Sequence, residues 1–109
     1  MPQEDQDDVV KSLKKEGFTR NQSRIIAFLN SNPDVSLPEL TENLRITNAR
    51  AISSMKALMY NGFVQRMQIR RKYSPGRSHY IYRLKIPLAE ILEEARRMVE
   101  IIYVDYPRE

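Results

Sequence analysis

The sequence predicts a mainly α domain with a small β-hairpin: two helices, a third and fourth joined by a tight turn, the hairpin, and a long closing helix. Three observations predict it. Thr19, Ser36 and Thr47 are residues of the type that caps helix starts, and each precedes apolar residues spaced by three and four. The stretches Phe63–Lys72 and Tyr80–Ile86 alternate apolar and polar residues in part, on either side of Ser74-Pro75-Gly76-Arg77, a sequence suited to a type II turn. After Pro87, the residues Leu88, Ile91, Leu92, Ala95, Met98, Val99, Ile102 and Tyr106 form one helical stripe. At 109 residues the chain fits one domain.

Element by element, Asp8 is placed to cap a first helix through Val9, Val10 and Leu13 that stops at Gly17, a residue that tolerates a left-handed C-terminal conformation. Residues 1–8, with Glu4, Asp5, Asp7 and Asp8, read as an acidic solvated tail. Thr19-Arg20-Asn21-Gln22 has capping-box form and opens a helix with Ile25, Ile26 and Leu29, ending near Asn30. Ser36-Leu37-Pro38-Glu39 repeats the box, flanked by Val35 and Leu40 as a hydrophobic staple, and starts a short helix to Leu44. Only Arg45 and Ile46 separate it from Thr47, after which Ala51, Ile52, Met55, Leu58 and Met59 are expected to face the core up to Asn61-Gly62. Two helices joined this tightly form a helix-turn-helix. The closing helix should run for about 18 residues.

Charge is unevenly placed. The net +4 comes from 18 basic and 14 acidic residues, yet none of the 47 residues between Glu42 and Glu90 is acidic. Ten positive charges fall in that interval: Arg45, Arg50, Lys56, Arg66, Arg70, Arg71, Lys72, Arg77, Arg83 and Lys85. A solvated face normally mixes signs, so this pattern points to a polyanionic partner, nucleic acid before others. Several classes are excluded or disfavoured. There is no cysteine for thiol chemistry or thiolate–metal sites, and a single histidine, His79, cannot make a His pair for zinc. No apolar run approaches membrane-spanning length, no Gly-rich phosphate loop is present, and the first residues lack the pattern of a signal peptide. The expectation is a cytoplasmic protein, not an enzyme, with no cofactor, no metal, no membrane partner and no evident small-molecule effector.

The run from Leu44 to Ile52 (Leu44-Arg45-Ile46-Thr47-Asn48-Ala49-Arg50-Ala51-Ile52), continuing through Leu58-Met59-Tyr60-Asn61-Gly62-Phe63-Val64, resembles the turn, recognition helix and first wing strand of MarR-type and TrmB-type regulators. The resemblance covers roughly residues 18–86 and implies a winged helix-turn-helix whose recognition helix enters the major groove while the wing lies on the flanking backbone or minor groove. An effector domain of the longer TrmB type is not expected within these 109 residues. The residue chemistry agrees independently. Asn48, Arg50, Ser53, Ser54 and Lys56 supply donors and acceptors suited to base edges and phosphate, and the helix start at Thr47 offers free amides to a phosphate. In the wing, Arg70, Arg71, Lys72, Arg77 and His79 are the expected DNA contacts. The tyrosines Tyr73, Tyr80 and Tyr82 leave room for an RNA-binding reading, and the basic surface for a protein-interaction or assembly module with an acidic partner.

The chain therefore divides into an acidic tail (1–8), a winged helix-turn-helix (9–86) and an added C-terminal dimerisation helix with its tail (87–109). The apolar side chains of that last helix need cover, and readers of two-fold DNA sites are usually dimers, so Leu88, Ile91, Leu92, Ala95, Met98, Val99, Ile102 and Tyr106 are expected to form a homodimer interface.

Overall fold

The computed structural model describes residues 3–70 and 78–105, with side chains described for 6–70 and 79–98. In chain order the elements are α1 (Gln3–Lys15), α2 (Arg20–Ser31), β1 (Val35–Ser36), α3 (Leu37–Leu44), α4 (Asn48–Tyr60), β2 (Val64–Arg70), β3 (Ser78–Leu84) and α5 (Leu88–Asp105). The three strands form one antiparallel sheet in the order β1-β3-β2, with Val64 opposite Leu84 and Arg70 opposite Ser78 across the hairpin. Residues 71–77, where the type II turn was expected, lie outside the described residues.

The helix starts follow the cap chemistry. The Thr19 hydroxyl accepts from the Gln22 amide at 3.1 Å while the Gln22 side chain accepts from the Thr19 amide at 3.0 Å. Ser36 and Glu39 repeat this exchange at α3, with Pro38 in its first turn. Glu39 accepts from both the amide and the hydroxyl of Ser36, and these two hydrogen bonds hold its carboxyl below the usual pKa. A carboxylate with a depressed folded pKa contributes stability that is fully present above the unfolded value, about 4.3, and is lost as the pH falls on through the lower folded value. Glu39→Gln keeps an acceptor but no charge, so its melting temperature should fall less than that of the wild type between about pH 5 and 3. Ser36→Ala removes the hydroxyl's two hydrogen bonds and leaves only the backbone amide donating to Glu39, and should cost about 1 kcal/mol in a neutral-pH melt.

Two helix ends share one device. Gly17 follows α1 at φ +108° and Gly62 follows α4 at φ +81°. In each case the next amide reaches back five residues, from Phe18 to the Leu13 carbonyl at 3.2 Å and from Phe63 to the Leu58 carbonyl at 2.9 Å, the Schellman arrangement. Both motifs thereby deliver a phenylalanine to the same place. Phe18 and Phe63 meet edge to face, with ring centroids 5.6 Å apart. A groove of about 260 Å³ borders this pair, lined also by Gln22, Ala95 and Met98.

Leu13, Ile25, Ile26, Leu40, Met55, Leu58, Val64 and Ile91 are buried and bring α1, α2, α3, α4, the sheet and α5 into one core. Three differences from the sequence reading have plain causes. The first helix starts at Gln3, five residues before the Asp8 cap, because the acids Glu4 and Asp5 in a first turn suit the positive end of the helix dipole. Val35 and Ser36 pair with Tyr82 and Ile81 as a third strand, which two residues cannot announce by alternation. The stripe of α5 is also divided. Ile91 and Ala95 are buried within this chain, and Leu88 and Leu92 pack on the same core, so the first half of the expected dimer surface is internal. Met98, by contrast, is 40% exposed. Val99 and Ile102 lie on α5 with side chains outside the described residues, as Tyr106 does altogether.

Candidate nucleic-acid interface

The surface opposite the core side of α4 is built from its start. Thr47 caps the helix by accepting from the Arg50 amide at 3.2 Å, which leaves the amides of Asn48 and Ala49 without an intrahelical acceptor. The turn leading into it is held from outside. Arg45 takes a left-handed conformation (φ 55°), and the Arg24 guanidinium of α2 donates to the Leu44 carbonyl at 2.8 Å, closing the end of α3. The relative placement of α3 and α4 is thus tied to α2.

Each residue advances a helix by about 100°, so burial of Ala51, Met55 and Leu58 turns Asn48, Ala49, Arg50, Ser53, Lys56 and Tyr60 towards solvent. Ser54 is half-buried beside them. Ile52 departs from the sequence expectation: it is 40% exposed, because it lies about a quarter-turn off the Ala51–Met55–Leu58 axis that meets α2 and α3. Met59 stays half-buried against the core. Tyr60 is 91% exposed at the end of the same surface and was not singled out in the sequence. Nor was Asn21, on α2, which joins Ala49, Arg50, Ser53 and Ser54 around a shallow cleft of about 310 Å³. Only the packing of α2 against α4 brings it there, and no local signal in the sequence reports that packing.

In the hairpin, Arg66, Gln68 and Arg70 share a face with Tyr80 and Tyr82, while His79 falls on the other face opposite Ile69. Tyr82 is buried and forms part of the core, and Arg66 stacks on the Tyr80 ring at 4.3 Å. Arg70 and His79 are exposed near the open end of the ladder. Arg71, Lys72 and Arg77 lie outside the described residues. One charge of the acid-free interval is neutralised from elsewhere: Asp34, itself at φ 63°, binds Arg83 at 2.7 Å. The acid comes from 49 residues away in sequence, which is why a scan of the interval misses it. Arg50, Lys56 and Arg70 form no ion pair among the described residues, where no cluster of metal-ligating side chains and no helix long and apolar enough to cross a membrane occurs either.

Three-dimensional comparison decides the architecture. MarR from E. coli superposes with a TM-score of 0.59 at 15% identity, over 86% of this chain and 67% of that one. A MarR family transcription regulator, SP03579, gives 0.58 at 19% identity over 94% of this chain and 64% of its own, so the present chain spans about two thirds of both proteins. The fold is a MarR-like winged helix-turn-helix. HlyU from Vibrio cholerae shares this winged helix over 96% of each chain, with a TM-score of 0.55 and 18% identity. No protein-family model and no curated protein matches the sequence. In the winged-helix frame α3 and α4 are the two helices of the helix-turn-helix, and β2 and β3 are the wing.

Proposed function

We propose that this protein is a transcription regulator that binds double-stranded DNA as a homodimer, with α4 in the major groove and the wing on the flanking backbone or minor groove. The observation that carries the reading is the α4 surface: Asn48, Arg50, Ser53 and Lys56 are exposed together on a helix with no acidic residue. An ordinary solvated helix face would carry Glu–Lys pairs, and this one is suited to base edges and phosphates instead. The neighbours above include a protein named as a MarR family transcription regulator, which supports regulation over catalysis.

Within this reading Arg50 is bidentate on guanine, Asn48 and Ser53 take adjacent base edges, and Lys56 takes phosphate. Thr47 and Ser54 position the start and flank of the helix, with Asn21 extending the contact from α2. Arg70, Arg71, Lys72, Arg77 and His79 follow the backbone beside the reading helix. The second half of α5, from Met98 through Val99 and Ile102, provides the two-fold contact that sets two α4 helices in successive major grooves. The preferred site is then an inverted repeat with half-site centres about 10 bp apart, or a small multiple of that.

A salt titration on duplex DNA of random sequence tests the reading. The logarithm of the binding constant should fall linearly with the logarithm of salt concentration, with a slope near −0.9 per phosphate contacted. Arg70→Ala should weaken binding to all sequences alike and make the slope shallower by about 1. Binding to acidic polypeptides with no preference for duplex would instead identify a protein-interaction module, and preference for single-stranded RNA would shift the function to the tyrosines.

A further inference from the structure

Ile52 has no role in a purely polar account of the α4 surface. It is 40% exposed, one helical turn beyond Asn48 and one before Lys56, with Ser53 beside it in sequence. A large apolar side chain in the midst of hydrogen-bonding residues keeps unfavourable contact with water until something apolar covers it. Its branching makes it stiff: in a helix an isoleucine has essentially one χ1 rotamer, so its methyl groups hold a fixed position relative to the helix axis and lose little freedom on contact. Lys56, one turn on along the same side of α4, brings a positive charge beside it, and no acidic residue of the helix offsets that charge, which favours a polyanion over an apolar protein surface. The major groove of a duplex presents one apolar feature, the C5 methyl of thymine.

We infer that Ile52 is a specificity-determining residue that reads thymine through its C5 methyl group. The inference rests on the duplex-binding reading above and adds to it the identity of one base in each half-site. Hydrogen-bonding neighbours discriminate donors from acceptors, whereas Ile52 discriminates a methyl from a hydrogen at the same ring position. Uracil presents the same hydrogen-bonding edge as thymine and lacks only that methyl, so the two bases isolate the contact.

The test begins with duplexes enriched from a random pool by binding to the full chain. The same sequences are then made with thymine or with deoxyuridine throughout, and affinities are compared at one salt concentration. The wild type should bind the uracil form about fourfold more weakly for each methyl read, the equivalent of about 0.8 kcal/mol for one buried methyl, and about sixteenfold more weakly where two half-sites are read. Ile52→Ala should bind both forms equally, near the wild-type affinity for the uracil form, while its thermal melt verifies that it is folded. Equal affinity of the wild type for the two forms overturns the inference alone, as does undiminished discrimination by Ile52→Ala. A chain that binds no duplex in the salt titration overturns the duplex-binding reading and this inference with it.

Discussion

Arg50→Ala is expected to lower affinity for the preferred DNA site by roughly five- to 150-fold, about 1–3 kcal/mol, and to relax the base preference at one position of each half-site. The side chain is exposed on α4, stands beside the cleft it shares with Asn21, Ser53 and Ser54, and forms no ion pair among the described residues. Its amide is engaged by the Thr47 cap, so the backbone beneath the guanidinium is held even before DNA arrives. Arg50→Lys keeps the charge but not the planar two-pronged donor, and should restore binding to random DNA better than binding to the preferred site. Fluorescence anisotropy on the enriched site and on random duplex separates these outcomes. Equal losses on both DNAs would make Arg50 a phosphate contact, and no loss on either would remove α4 from the interface.

Ile91→Ala should destabilise the fold by about 2–5 kcal/mol, the range for emptying a buried isoleucine site, and the loss should not depend on protein concentration. Ile91 is fully buried in the single chain among residues contributed by several elements. Met98→Asp should act differently. This position is 40% exposed, so a carboxylate there costs the isolated chain little, but it would meet an apolar seam in the proposed dimer and shift the protein towards monomer. Thermal melts at two concentrations together with sedimentation measure both. If Ile91→Ala instead left the melt unchanged and split a dimer, the division of α5 into an internal and an external half would be wrong. If Met98→Asp left the mass of a wild-type dimer unchanged, the two-fold contact would lie elsewhere. Glu16 on the turn after α1 accepts from Arg96 of α5 at 3.2 Å, a surface pair worth little alone but consistent in placing the first half of α5 on its own chain.

Much of the candidate site was legible because its signals are local. The reading of α4 as a helix capped by Thr47 and ended at Asn61-Gly62 depends only on residues within a few positions of one another, and the helix spans Asn48–Tyr60 accordingly. Asn48, Arg50, Ser53 and Lys56 follow from that helix once its core side is known. Ile52 was misplaced because Ala51, Ile52, Met55, Leu58 and Met59 all fit a helical period, and a period does not say how wide the covered arc is. The width was decided by α2, α3 and β2, which pack on α4 and leave Ala51, Met55 and Leu58 buried with Ile52 at the edge.

What the sequence by itself determined is the order of the five helices and the hairpin, the caps of α2, α3 and α4, and the glycine stops of α1 and α4, but neither β1 nor the start of α1. Each rests on hydrogen bonds spanning three to five residues: the boxes at Thr19 and Ser36, the glycine turns at Gly17 and Gly62, the cap at Thr47. What only the tertiary structure decided is which surfaces remained open. The Arg24–Leu44 hydrogen bond across 20 positions, the Asp34–Arg83 ion pair across 49, the arrival of Asn21 beside Arg50, the pairing of β1 with β3 and the burial of Ile91 and Ala95 all join residues remote in sequence. A local pattern shows that a face is apolar or charged, because side-chain direction follows from the backbone period. What covers that face depends on which other element reaches it, and that is set by the closing of long loops around a shared core.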